Sequence, residues 1–109
     1  MFSILRRLFS SKKPDLEALF VEGAIVIDVR TVTEYNRGHG KGSRHIPLQS
    51  LPSKIAALNK QQKTLITCCA SGMRSGKAAK ILNQAGLTAF NGGSWQQVEQ
   101  ARQRSQTVE

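Results

Sequence analysis

At 109 residues the chain has room for one domain with one modest core, not two. Its two cysteines exclude a disulfide framework: they are neighbours, and a bridge between them would close almost no chain and strain its geometry, so reduced thiols and a cytoplasmic setting are expected. A net charge of +9 draws small anions and favours contact with anionic surfaces, but without an aromatic-rich binding pattern or zinc-finger spacing it gives no support for sequence-specific nucleic-acid binding.

Residues 1–13 form a basic amphipathic segment. Phe2, Ile4, Leu5, Leu8 and Phe9 fall on one side of a helical wheel, and Ser3, Arg6, Arg7, Ser10 and Ser11 on the other. Arg6 and Arg7 interrupt any signal-peptide core, and the apolar run is too short to span a bilayer. The segment either makes a peripheral contact with a membrane or a protein partner, or docks on its own domain or frays.

A single domain is expected over residues 14–109. DLEALFVEG reads as a short helix with Asp15 as cap and Gly23 as stop. AIVIDVR is a short apolar run of the kind covered on both faces in a parallel sheet. TVTEYNRG is a second helix, starting at Thr31 or Thr33 and ending at Gly38. The glycine-rich GHGKGS leads to a brief strand around residues 44–46, which Pro47 ends. SLPSKIAALNK is a third helix with Ser50 or Ser53 as cap. TLITC is a strand, SGKAAKILNQAG a helix closed by Gly86, LTAFNGG a last strand and SWQQVEQARQR a last helix. Strands alternate with helices throughout, which predicts an α/β fold with a mostly parallel sheet, whose ligands bind at the carboxyl ends of the strands.

One such end carries Cys69-Ala70-Ser71-Gly72-Met73-Arg74-Ser75. Small residues let the backbone curl so that successive N–H groups, and the N-terminus of the helix beginning near Arg74 or Ser75, point at one spot. Such a ring of donors stabilises a thiolate without a general-base histidine, and it would equally hold an oxyanion or a second sulfur attached to the thiol. Arg74 adds a permanent positive charge that closes the cradle. From Tyr35 to Val98 there is no acidic residue, so the surroundings of the loop are basic.

Asp28-Val29-Arg30, Glu34-Tyr35, Gly38-His39, Gly42 with Ile46-Pro47, the Cys69–Ser75 loop as C-x-x-G-x-R-S, and Asn91-Gly92-Gly93 followed by Trp95 occur in an order that resembles a single-domain rhodanese, from about Asp15 to Gln100. The resemblance implies the rhodanese three-layer α/β fold, with about five short, mostly parallel strands and helices on both faces. It implies a sulfurtransferase in which Cys69 is the nucleophile. Cys69 would take sulfane sulfur from a small anionic or persulfide donor and pass it to a thiol or cyanide acceptor. The N–H groups of Ala70, Ser71, Gly72, Met73, Arg74 and Ser75 would hold the outer sulfur. No cofactor is implied. Two departures stand out. GHGKGS replaces the more usual GHIPGA, which reads as a loosened loop, and Ala70 and Met73 are uncharged, which leaves Arg74 alone to attract an anion such as thiosulfate.

Cys68 is the rival nucleophile. Five residues separate it from Arg74, the loop length of cysteine phosphatases, whereas four separate Cys69 from Arg74. Gly72 is placed for the turn when Cys69 is the nucleophile, and strand alternation then sends Cys68 away from the loop, as a small buried residue or as a resolving thiol. Asp28 and Arg30 stand at the end of a strand, lining the mouth of the site or, as we favour, tying loops together, with Glu34 as the expected partner of Arg30. His39 is a ligand, a proton shuttle or a local hydrogen-bonding residue. Trp95 packs at the start of the last helix or borders the pocket, and Lys41 and Arg44 steer anions or are solvated. There is no metal-ligand spacing. Besides sulfurtransferase, two functions fit the loop: a phosphatase or arsenate reductase, and a non-catalytic persulfide carrier.

Overall fold

Asp15 opens the first helix as expected: its carboxylate accepts the Ala18 N–H at 3.1 Å, and Gly23, at φ +95°, lets the chain turn away. In the computed structural model, which describes residues 13–106, this helix is α1 (Leu16–Val21). It is followed by β1 (Ile25–Asp28), α2 (Val32–Asn36), β2 (Arg44–His45), a 3-10 turn (Leu48–Lys54), α3 (Ile55–Lys60), β3 (Leu65–Cys69), α4 (Met73–Gln84), β4 (Ala89–Ser94) and α5 (Trp95–Gln106). Apart from Lys13, the N-terminal segment lies outside the described residues.

The strands form one parallel sheet in the order β2-β1-β3-β4. Four strands are described where about five were expected. The other continuous apolar runs, residues 18–21 and 55–58, lie in helices. Alternation along the strands splits the core in two. Ile27, Val29, Leu65, Cys69 and Ala89 face Leu51, Leu58, Ala78 and Leu82 of the 3-10 turn, α3 and α4. Val26, Ile66, Cys68 and Phe90 face Leu16, Leu19, Val98 and Ala101 of α1 and α5. The result is the three-layer arrangement, in which each fully buried Leu, Ile or Val contributes roughly 1.5–3 kcal/mol.

Three local expectations need correction. Neither Ser50 nor Ser53 caps the third helix: Pro52 sits in a preceding 3-10 run, and the Ser53 hydroxyl donates back to the Ser50 carbonyl at 2.8 Å rather than accepting a helix N–H. β3 runs one residue further than expected, through Cys69, and α4 begins at Met73. At the carboxyl end of the sheet Thr67 pairs with Asn91 but Cys69 pairs with Ser94, so Gly92 and Gly93 oppose Cys68 alone in a bulge. No side chain fits at Gly92, where a Cβ would lie 2.5 Å from Val98 and 2.7 Å from Ile66. Among the described residues no helix is long and apolar enough to cross a membrane.

Candidate active site

The cysteine loop leaves β3 at Cys69 and enters α4 through Gly72. Gly72 has φ +102°, and a Cβ there would sit 3.3 Å from the Gly93 backbone, so conformation and space both demand glycine. This turn brings donors back onto the sulfur. The Gly72 N–H reaches Cys69 Sγ at 3.0 Å, the Ser75 N–H at 3.4 Å, and the Ser75 hydroxyl lies 3.3 Å away. Cys69 itself is buried at the floor of the loop. That burial pushes its thiol up, but the Ser75 hydroxyl and the N–H groups of Ser75, Gly72 and Ser71 outweigh it and hold the pKa below the ordinary thiol value. Ala70, Ser71 and Met73 are exposed around this floor.

Arg74 does not stand open above the sulfur. Its two terminal nitrogens donate to the Glu34 carboxylate at 2.7 and 2.9 Å, an ion pair about one-third exposed on each side. Glu34 is also the third residue of a capping box with Thr31, so α2 positions the carboxylate for the loop. The Arg74 guanidinium, with the Thr31 N–H behind it, holds the Glu34 carboxyl well below the usual carboxylate range. The expected Glu34–Arg30 ion pair is therefore not formed: Arg30 takes only the Glu34 backbone carbonyl, at 3.2 Å.

Arg30 instead chelates Asp28, with contacts of 2.7 to 3.1 Å, and both side chains are buried. It also donates to the Gly38 carbonyl at 2.8 Å and stacks over Trp95 at 4.9 Å. Cys68 faces this closed cluster and not the loop. Burial first, then the charge of Asp28, pushes its thiol far up, so it stays protonated at neutral pH.

His39 and His45 stack on opposite faces of Tyr35, with ring centroids at 3.8 and 4.4 Å. His39 Nδ1 bonds the Tyr35 carbonyl at 2.8 Å, while Tyr35 donates to the Ser43 carbonyl at 2.9 Å. The Ser43 hydroxyl holds the Gly40 carbonyl, and Glu99 accepts the Lys41 N–H. The glycine-rich stretch is thus a tied loop, not a loosened one. Lys41 and Arg44 are exposed. No three metal-ligating side chains gather among the described residues.

One residue at the site escaped sequence reasoning. Asn91 accepts from the Ser75 hydroxyl at 2.7 Å and donates to the Gly72 carbonyl at 2.9 Å. A signal was present: on β4 Asn91 lies two residues after the buried Ala89, which puts it on the α4 face.

The rhodanese-like domain model matches residues 12–101. The chain belongs to the rhodanese-like domain family. Among its relatives is "Thiosulfate sulfurtransferase GlpE" of Stutzerimonas stutzeri, 36% identical over 57% of this chain and 57% of that protein. "Thiosulfate sulfurtransferase PspE" of Escherichia coli is 36% identical over 57% of this chain and 61% of that protein. This rhodanese-like chain thus matches a little over half the length of these curated relatives. A solved "rhodanese with anions from E. coli" superposes with a TM-score of 0.64 at 30% identity, over 69% of this chain and 91% of the other, so the three-layer α/β fold is the rhodanese fold.

Proposed function

We propose that the chain is a sulfurtransferase that carries sulfane sulfur as a persulfide on Cys69. The observation that supports this most directly is the convergence of the Ser75 hydroxyl and the Gly72 and Ser75 N–H groups on one buried sulfur of lowered pKa. The Cys69 thiolate attacks the outer sulfur of a persulfide R–S–SH. A new S–S bond forms to Cys69, the old S–S bond breaks and R–S⁻ leaves. With thiosulfate the leaving group is sulfite. An acceptor thiolate or cyanide then attacks the outer sulfur, and its departure as a persulfide or thiocyanate restores the Cys69 thiolate. In the loaded form the outer sulfur takes over the donors that now serve Sγ.

The loop favours a persulfide as donor over thiosulfate. Ala70 and Met73 carry no charge, and Arg74 is engaged by Glu34, so a dianion meets backbone N–H groups rather than a free cation. Asp28, Arg30 and His39 serve as loop ties in this reading, and Cys68 as a packed thiol. A domain over residues 14–109, with 1–13 as an addition, and a cytoplasmic, reducing setting suit a chain that works through a free thiol.

Intact mass after incubation of the reduced protein with glutathione persulfide tests the proposal. A gain of about 32 Da, one sulfur on the thiolate, is expected in wild type and in Cys68→Ser and should vanish in Cys69→Ser. Loading that follows Cys68 would overturn the assignment. No loading in any variant, with Cys69 still alkylated, would overturn sulfur transfer and turn attention to phosphate or arsenate.

A further inference from the structure

The Ser75 hydroxyl has one proton and two neighbours that can take it. Asn91 decides which of them does. The orientation of its amide is fixed by two backbone partners: the Gly93 N–H is only a donor, so the atom 3.0 Å from it is Oδ1, and the Gly72 carbonyl is only an acceptor, so the atom 2.9 Å from it is Nδ2. Ser75 Oγ lies 2.7 Å from that Oδ1, an acceptor with no proton of its own, so the hydroxyl must donate to Asn91. Towards Cys69, at 3.3 Å, the same oxygen can then only accept. The arrangement is a directed chain, Cys69 S–H to Ser75 O–H to Asn91 Oδ1, and it belongs to the neutral thiol.

When the sulfur proton leaves to water, the Ser75 hydroxyl has a better acceptor in the charged sulfur and turns towards it. Asn91 Oδ1 is not orphaned by this, because the Gly93 N–H stays in place. Nδ2 meanwhile keeps hold of Gly72, whose N–H is the shortest backbone contact to the sulfur. We propose that Asn91 is a positioning residue for Cys69: its single amide stores the Ser75 hydroxyl proton while the sulfur is neutral, releases it to the sulfur when the sulfur is charged, and anchors the Gly72 end of the cradle in both states. The bulge makes this reach possible, since Gly92 and Gly93 absorb the register change just beyond Asn91. The charged groups that interact with the two neighbouring cysteines are Arg74, paired with Glu34, and Asp28 and Arg30, paired with each other, and Asn91 bonds none of them.

This inference deepens the persulfide reading and rests on Cys69 being the working nucleophile, but alkylation reads the ionisation of Cys69 whether or not sulfur is ever transferred. The test is the pH dependence of iodoacetamide alkylation at Cys69, located by peptide mass, in the full chain with and without Asn91→Asp and Ser75→Ala. The carboxylate binds the Ser75 proton more tightly, repels a thiolate and cannot donate to Gly72, so all three effects act in one direction. At pH 7 Asn91→Asp is expected to slow alkylation about tenfold, equal to a midpoint displaced upward by about one pH unit. With Ser75→Ala already present the same change should slow it by less than about threefold, charge repulsion and the lost Gly72 anchor being all that remains. A fall smaller than about threefold with Ser75 intact, or an equal fall with and without Ser75, would overturn the proposal. A second readout needs no variant: the Asn91 side-chain amide 15N signal of wild type should titrate with the alkylation midpoint, and an amide that stays constant through it would overturn the proposal as well.

Discussion

At the carboxyl end of the sheet the two faces hold similar groups in opposite arrangements. On the α1 and α5 face, buried Asp28, Arg30 and Cys68 and half-buried Trp95 satisfy one another, with a guanidinium chelated by a carboxylate and a thiol kept protonated. On the α4 face, Gly72 and Ser75 turn their N–H groups onto the Cys69 sulfur, Asn91 bonds both of these residues, and the nearby Arg74 pairs with Glu34 where water still reaches both. Both faces have a cysteine and an arginine–carboxylate pair. One uses them to lock the end of β1 to the Gly38 turn, and the other leaves a thiol whose charged form is stabilised. Reactivity here follows from which face a side chain points to, because the two cysteines share a peptide bond.

Removing one member of the closed pair should do the greatest damage. Arg30→Gln leaves Asp28 buried without its partner and is expected to cost about 3–5 kcal/mol of stability, read from urea denaturation. A loss under about 1 kcal/mol would mean that the two faces are not energetically distinct. The matching change on the other face is Glu34→Gln, which keeps an acceptor for the capping box but releases Arg74. It should lower the KM for thiosulfate on the order of fivefold at low salt while leaving loading from a neutral persulfide unchanged. An unchanged KM would show that the ion pair does not limit entry of the anion.

The acid side of the comparison is set by Cys69 and Glu34. Because the Cys69 pKa is lowered, alkylation of wild type should be half-maximal below the ordinary thiol value of about 8.5 and should decline only as pH falls through that lower midpoint. Glu34 is depressed in the folded state, so its contribution to stability is complete above about pH 5 and is lost as acid protonates the unfolded carboxyl, then the folded one. The smallest effect belongs to Cys68. Its pKa is raised, so it favours the folded state below about pH 8.5 and loses that advantage as the unfolded thiol ionises at higher pH. Cys68→Ala should flatten the alkaline fall of the thermal midpoint and leave persulfide loading intact. An alkaline limb as steep as that of wild type would place the titrating group elsewhere.

Local signals were legible where neighbours in the chain decide the outcome. The caps at Asp15 and Thr31, the stops at Gly23 and Gly86 and the order of strands and helices all depend on residues a few positions apart. The partner of Arg74 was not legible, because Glu34 is forty positions away and Arg30 is the nearer cation in sequence. The 3-10 turn was missed because Pro52 overrides the serine pattern around it. Asn91 was visible only as part of a glycine motif, and its role requires knowing that β4 lies beside β3 and that the bulge begins just after it.

The Gly92–Gly93 bulge also bears on how the chain avoids folding wrongly. A strand repeats every two residues, so a slip of β3 by one position would exchange the surroundings of its two cysteines. Cys68 would then meet the cradle and Cys69 would be buried against α5. Such an isomer would have almost the same composition on each face but would offer the other thiol to the donors. The bulge is a mark that only one alignment can satisfy: two glycines oppose Cys68, and Val98 and Ile66 leave no room for any side chain at Gly92. It acts as an indexing notch, and it keeps a nearly symmetric pair of thiols from trading places during folding.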